Sequence, residues 1–233
     1  MNARNWMVRI LSVVVLVVVF TLPSLSLAEQ DMDGLKWHIE TVDSKGGAYN
    51  SLALDAEGYP HISYLDCGNG ELRYAYYDGI NWHIQVVDSV GMDISLALDA
   101  EGYPHISYTD LGNGELRYAY HDDINWHIQV VDSEGWVGMD TSLALDAEGY
   151  PHISYLDLGN GDLRYAYYDG INWHIQVVDS EGWVGIFNSL ALDAEGYPHI
   201  SYTDYGNGDL KYAYSEEYYT FDYTCYLPLV LSR

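Results

Sequence analysis

Most of this chain is one short unit present four times, and that repetition limits what it can fold into. Residues 51–64 read SLALDAEGYPHISY, and the same segment returns unchanged at residues 95–108, 142–155 and 189–202. A Trp-His-Ile triplet recurs at the same interval of about 45 residues, which is the length of a propeller blade. The triplets begin at Trp37, Trp82, Trp126 and Trp173. Units this alike are expected to fold alike and to carry equivalent sites.

Each unit has the pattern of β-strands. Four short runs rich in β-branched and aromatic residues are separated by Gly, Asp and Asn, which favour turns. In the second unit these runs are residues 95–99, 104–109, 115–120 and 126–131. Pro104 suits the first position of a strand, where a missing N–H group is tolerated. Each unit is therefore predicted to be an up-and-down sheet of strands A, B, C and D.

The order of the strands predicts how the array ends. A strand D pattern occurs first at residues 37–43, before any strand A. If that segment pairs with the last A, B and C strands, no sheet edge is left exposed. We therefore predict an all-β fold, a four-bladed β-propeller closed by its N-terminal strand. Two alternatives are an open array whose last strand comes from residues 218–231, and a larger ring completed by several chains.

Residues 54–62, which read LDAEGYPHI, and their copies resemble the strand-turn-strand of extracellular propeller repeats, including the NHL type and the sialidase-like BNR type. The resemblance covers residues 37–214 and implies a propeller architecture. It does not specify an activity, because such propellers serve as lectins, scaffolds and hydrolases. The Asp-box of sialidase-like repeats, Ser-x-Asp-x-Gly-x-Thr-Trp, is absent, since residues 66–71 read DCGNGE.

The N-terminal residues indicate export. Arg4 and Arg9 precede an apolar run that leads through Pro23 to Ala28, the pattern of a secretory signal peptide over residues 1–28. An uncleaved anchor is the alternative, since the run is nearly long enough to span a bilayer. We expect cleavage, a secreted or cell-surface protein, and no membrane span in the mature chain. Next come a short linker (29–36), the propeller (37–214) and a Tyr-rich tail (215–233).

Charge and cysteine content narrow the partners. The formal net charge is −26, and a surface this acidic repels nucleic acid and anionic membranes. The expected partner is an extracellular glycan or protein. Cys67 and Cys225 are the only cysteines. In an oxidising compartment we predict that they form a disulfide joining the tail to the first unit.

Propeller geometry places the B–C turns and the D–A loops on one face, where we expect the ligand. Each B–C turn offers an Asp and an Asn for ligand binding, and a second acid that would complete a calcium site. The ligand-binding candidates are Asp66, Asn69, Asp110, Asn113, Asp157, Asn160, Asp204 and Asn207. The calcium candidates are Asp66, Glu71, Asp110, Glu115, Asp157, Asp162, Asp204 and Asp209. The alternative is that each Asp only bonds the backbone of its own turn.

Two tryptophans lie outside the strand pattern. Trp136 and Trp183 occupy the longer, Gly-rich D–A loops that lead into the third and fourth units. An exposed indole beside carboxylates suits the apolar face and the hydroxyls of a sugar, which makes them the best binding candidates. The alternative is that each indole folds over the ring and covers it.

Catalysis has little support in the sequence. A hydrolase needs an asymmetric set of groups whose environments separate their pKa values, whereas nearly every polar residue here is copied into each unit. We predict a non-enzymatic, lectin-like module with repeated equivalent sites and no cofactor except calcium. One alternative is a structural or adhesive protein-binding ring stabilised by calcium, and another is a sialidase-like glycoside hydrolase.

Overall fold

The structure, a computed structural model, describes residues 36–216. The predicted signal peptide and nearly all of the predicted linker lie outside the described residues, as does the tail from residue 217. The chain divides into two compact units, Met1–Glu40 and Thr41–Arg233, and every strand belongs to the second. No helix of the described residues is long and apolar enough to cross a membrane.

The described residues form four antiparallel sheets, one for each repeat. Blade 1 consists of β1 (Ala48–Leu54), β2 (Pro60–Asp66), β3 (Glu71–Tyr77) and β4 (Trp82–Asp88). Blade 2 consists of β5 (Met92–Leu98), β6 (Pro104–Asp110), β7 (Glu115–His121) and β8 (Trp126–Asp132). Blade 3 consists of β9 (Val137–Leu145), β10 (Pro151–Asp157), β11 (Asp162–Tyr168) and β12 (Trp173–Asp179). Blade 4 consists of β13 (Val184–Leu192), β14 (Pro198–Asp204) and β15 (Asp209–Tyr214).

Turn chemistry sets the strand boundaries. In the A–B turn of blade 2, Asp99 Oδ1 accepts hydrogen bonds from the N–H groups of Glu101 at 3.0 Å and Tyr103 at 2.8 Å. Gly102 adopts the positive φ of 87° that the turn needs. In the C–D turn, Asp122 Oδ1 accepts the N–H of Asn125 at 2.8 Å. An aspartate that bonds nearby backbone favours a turn over a continuing strand, so each run of apolar residues ends where its Asp begins.

Consecutive blades pack face to face as in a propeller, with the first strands β1, β5, β9 and β13 innermost and each in contact with the next. The junction between blades 2 and 3 buries one apolar cluster, Leu116, Tyr118, Val131, Val137, Leu143, Ile153, Tyr155 and Ala166. Trp173 closes its outer side, with its ring edge-on to Tyr118 at 5.4 Å and its Nε1 donating to Gln129 Oε1 at 2.8 Å. Trp126 makes the same two contacts at the preceding junction, with Tyr74 and Gln85.

The predicted closure by residues 37–43 is not seen. These residues form no strand, and in the part of the chain that the structure describes the fourth sheet ends at β15 with three strands. The innermost strands of blades 1 and 4 do not pack together as consecutive inner strands do. The reason is physical: a ring closes only if the rotation at every junction adds up to a full turn, and the repeat pattern does not encode that angle. The fold shown is an array of four propeller-like blades with three blade junctions in the described residues.

Candidate functional site

The D–A loops and the B–C turns share one edge of the sheets, which we call the loop face. Val137 N–H of blade 3 donates to Gly114 O of blade 2 at 3.1 Å. Leu158 N–H, also of blade 3, donates to Trp136 O in the loop at 2.8 Å. The next loop repeats this arrangement, with Tyr205 N–H donating to Trp183 O at 2.8 Å. Each loop is therefore fixed to the turns of two neighbouring blades.

Trp136 and Trp183 stand on this face at equivalent positions. Each indole lies over the last glycine of the preceding blade's B–C turn, and a Cβ added to Gly161 would lie 3.2 Å from Trp183 Cε3. Gly114 is the equivalent residue below Trp136. The side chains remain 55% and 43% exposed. The two rings are thus held from below by glycine and open to solvent above, which is the arrangement of a stacking platform.

The aspartates of the B–C turns are buried within the turns. Asp110 Oδ1 accepts the N–H of Gly112 at 2.8 Å, and its Oδ2 accepts Asn113 Nδ2 at 2.8 Å and lies 2.7 Å from Arg117 Nη2. Asp66, Asp157 and Asp204 are also buried and bond the Asn of their own turns, Asn69, Asn160 and Asn207. These carboxylates hold the turn and a cation side chain, whereas the asparagines are exposed at its tip.

The calcium candidates do not form a cluster. Glu71 and Glu115 bind the guanidinium groups of Arg73 and Arg117 at 2.8 and 2.9 Å. Within residues 36–216, no three His, Cys, Asp or Glu side chains lie close enough together to hold a metal ion. The geometry of these turns therefore does not support the calcium prediction. The same holds for the pair of Asp157 with Asp162 and for the pair of Asp204 with Asp209.

The strand C cations connect neighbouring blades. Asp88, the last residue of blade 1, accepts Tyr108 Oη at 2.7 Å and Arg117 Nη1 at 3.0 Å from blade 2. Burial and the Asp88 carboxylate raise the pKa of Tyr108, so its hydroxyl stays a donor. Equivalent sets centred on Asp132 and Asp179 join the other two pairs of neighbouring blades, and Asp43 makes the same contacts to blade 1 from the segment before β1. The regular spacing of these cations, one on each strand C, reflects their contacts with the preceding segment of the chain.

An acidic pair breaks the repeat on the inner strands. Asp93 and Asp140 occupy equivalent irregularities of β5 and β9, with positive φ angles of 47° and 49°. Blades 1 and 4 have Tyr49 and Phe187 there. Burial raises the pKa of Asp93, and the Asp140 carboxylate adds to the rise, against the lowering effect of a hydrogen bond from the Asp140 N–H. Among the described residues, no donor reaches Asp93 Oδ2.

This pair was not predicted from the sequence, because the prediction of sites was based on the motif that is identical in all units. The signal that could have identified the pair is that this position varies within a strand that is otherwise constant. Both residues lie near the start of their inner strands, at the end of the sheets that carries the D–A loops. The loop face therefore combines two half-exposed indoles with two carboxylates.

The predicted disulfide stays a prediction. Cys67 is exposed at the B–C turn of blade 1, where its thiol is accessible from solvent. Cys225 lies outside the described residues.

No protein-family model matches this chain, and no curated protein sequence is similar to it. Solved structures match at low identity. A PL25 polysaccharide lyase, an ulvan lyase bound to -[GlcA(1-4)Rha3S]-, has a TM-score of 0.52 and 15% identity over 74% of this chain and 56% of its own. A protein of unknown function from Dyadobacter fermentans DSM 18053 has a TM-score of 0.50 and 14% identity over 69% of this chain and 50% of its own.

A Hadza microbial sialidase matches with a TM-score of 0.49 and 12% identity over 72% of this chain and 44% of its own. The chain thus spans about half the length of these solved structures. The likeness to the first two shows the fold, a propeller-like array of repeats.

Proposed function

We propose that this protein is a secreted, non-catalytic module that binds a glycan chain on its loop face, with Trp136 and Trp183 as stacking platforms. The observation that carries the proposal is the pair of indoles, each seated on a glycine turn and about half exposed. An indole presents an apolar face on which a sugar ring can stack and an N–H group that can bind a sugar hydroxyl.

Polar groups around the indoles suit the same ligand. Asn113 and Asn160 donate their amide N–H groups to the turn aspartates, which leaves each amide oxygen to accept a sugar hydroxyl. Repetition gives the site its second property, because Trp136 and Trp183 are two copies of one arrangement on neighbouring blades. Two equivalent sites on one rigid scaffold favour a polymer with a regular repeat through avidity. That a polysaccharide lyase shares the fold is compatible with a carbohydrate ligand.

Binding is tested with a glycan array followed by calorimetry on the best oligosaccharide. We expect binding that is selective for one sugar. Trp136→Ala and Trp183→Ala should each weaken the affinity about tenfold, a loss of about 1.4 kcal/mol. The double variant should not bind. The control is Ile171→Ala, which removes a more exposed apolar side chain from a C–D turn at the opposite edge of the sheets.

Other outcomes separate the alternatives. Binding that the double tryptophan variant retains would contradict the proposed site. Binding to a protein and not to any sugar, abolished by a calcium chelator, would instead support the adhesive hypothesis.

A second candidate function rests on Asp93 and Asp140. Two carboxylates in different environments, one with its pKa raised by burial, can divide the roles of general acid and general base. The corresponding reaction class is glycoside cleavage by a hydrolase or a lyase. The test is turnover of the glycan identified on the array, with reducing ends measured for hydrolysis and ultraviolet absorbance for elimination.

If the pair is catalytic, Asp93→Asn and Asp140→Asn each lower kcat at least about 100-fold. Asn tolerates the positive φ at both positions, so these variants should fold. Asp123→Asn, an exposed carboxylate with a positive φ of 74°, is the control. No cleavage of any bound glycan by the native protein would eliminate this candidate.

A further inference from the structure

Within residues 36–216, blade 4 lacks the strand that completes each of the other three blades. β4, β8 and β12 all begin with Trp-His-Ile and cover the outer edge of their sheets. In the described residues β15 has no strand beyond it. The six-residue edge of β15, whose backbone N–H and C=O groups have no further strand beside them in the described part of the chain, is a template for another strand.

A cavity marks where the missing strand belongs. It has a volume of about 450 Å³, lies between blades 3 and 4, and is lined by residues that include Tyr165, Gln176 and Tyr214. Trp173 fills the equivalent place one junction earlier, against Tyr118 and Gln129. Tyr165 and Gln176 are the same repeat positions in blade 3. The cavity is therefore shaped to receive a tryptophan.

The exposure of nearby side chains agrees. Val131 of strand D is 7% exposed at the junction that Trp173 closes, whereas its equivalent, Val178, is 36% exposed beside the cavity. The cavity is thus the space that a strand D tryptophan leaves when it is absent.

The segment that matches this strand is at the other end of the array. Residues 37–43 read WHIETVD, against WHIQVVD in the three complete blades, and form no strand. Asp43 contacts blade 1 in the same way that the last residue of a strand D contacts the next blade. It accepts Tyr64 Oη at 2.8 Å and Arg73 Nη1 at 3.0 Å. The segment is thus attached to blade 1 in the manner of a strand from a preceding blade.

The outer faces of blades 1 and 4 are matching halves of a junction. Leu210 and Tyr212 of blade 4 are 83% and 60% exposed, whereas their equivalents at the second junction, Leu116 and Tyr118, are at most 4% exposed. Leu52 of blade 1 is 61% exposed, whereas the equivalent Leu143 is 8% exposed. Because the repeats are nearly identical, these two faces are complementary as the internal faces are. Within one chain the inner strands of blades 1 and 4 do not pack together as consecutive inner strands do.

We propose that a second copy of this chain occupies blade 4. Its residues 37–43 add to β15 as the fourth strand, its Trp37 fills the cavity at Tyr165 and Gln176, and its Leu52 packs on Tyr212. The register of β11 with β12 predicts that Tyr212 pairs with Glu40 of the added segment, as Tyr165 pairs with Gln176. Such a contact is heterologous, so it continues from copy to copy and ends in a ring or a filament.

The test uses variants that block one face each. Tyr212→Asp blocks the blade 4 face and Leu52→Asp blocks the blade 1 face, and both sites are exposed enough for the chain to keep its fold, which circular dichroism verifies. The secreted chain and its variants are examined by sedimentation velocity over a range of concentrations. We expect the native protein to assemble as its concentration rises and each single variant to remain monomeric.

An equimolar mixture of the two variants tests whether the blade 4 face of one copy binds the blade 1 face of another. Each variant keeps one intact face, so the mixture is expected to form a 1:1 heterodimer and nothing larger. Trp37→Ala should weaken native assembly, and Ile171→Asp, on an exposed C–D turn, should leave it unchanged. A native protein that is monomeric at all concentrations would overturn the proposal, as would a mixture that stays monomeric. A monomer with Tyr212 protected from solvent would assign the strand to the same chain instead.

Discussion

The junction between blades 2 and 3 and the outer face of blade 4 carry the same residues in different surroundings. Tyr118 is 4% exposed at the junction, and Tyr212, its equivalent, is 60% exposed. Both tyrosine hydroxyls contact the strand B histidine of their own blade, His105 and His199. The A, B and C strands around this contact are therefore alike, and blade 4 differs in having, among the described residues, neither a fourth strand nor a next blade. The comparison separates the contacts that form within one repeat from the burial that comes from packing against a neighbour.

The largest effect is expected from removing the buried ring. Tyr118→Ala should lower the free energy of unfolding by about 3–4 kcal/mol, because it opens a cavity in a closed cluster. Tyr212→Ala should cost about 0.5 kcal/mol in dilute monomer, as for an exposed position. Urea denaturation of both variants gives the difference directly. Equal losses would show that the outer face of blade 4 is packed like a junction.

The cation of strand C should show the same contrast on a smaller scale. Arg117 binds Asp88, Asp110 and Glu115, and Arg117→Met leaves buried carboxylates without their partner. We expect a loss of about 2 kcal/mol, reduced from the fully buried case because the site is partly hydrated. Lys211, which has the same role in blade 4 and is more exposed, should matter less when changed to Met. The reverse order would contradict the assignment of these cations to junctions.

The pH dependence of stability should have two windows. Burial lowers the pKa of His105 and His152 below 6.5, so the unfolded chain binds protons first and stability falls as the pH drops below about 6.5. Turn hydrogen bonds lower the pKa of Asp78 and Asp169 from 3.8 to about 2. Stability that these carboxylates contribute above pH 4 is therefore lost as the pH falls towards 2.

The urea midpoint measured from pH 8 to pH 2 checks both windows. His105→Gln should remove part of the decline below pH 6.5, since Gln does not titrate. A midpoint that stays constant between pH 7 and pH 5 would exclude the contribution of the buried histidines.

Much of the fold could be predicted because the information is local. Pro104 and Glu115 begin strands where the turn residues before them indicated, and the four-stranded blade follows from the spacing. The position of Trp136 outside the strands could also be predicted, since it interrupts the strand pattern within a Gly-rich loop, whereas the sequence left open whether its indole is exposed or covers the ring. Closure could not, because it depends on an angle summed over all junctions. The buried state of Asp66 required the position of Arg73, which comes from the neighbouring strand and not from the turn itself.

Side-chain footprinting with hydroxyl radicals tests the central claim, that the A, B and C strands of every repeat fold alike and that packing on a next blade buries their outer face. In dilute monomer, the account predicts that Tyr212 and Tyr214 are modified many times faster than Tyr74, Tyr118 and Tyr165. Uniform protection of all five tyrosines would contradict it, because blade 4 would then have a neighbour within the same chain.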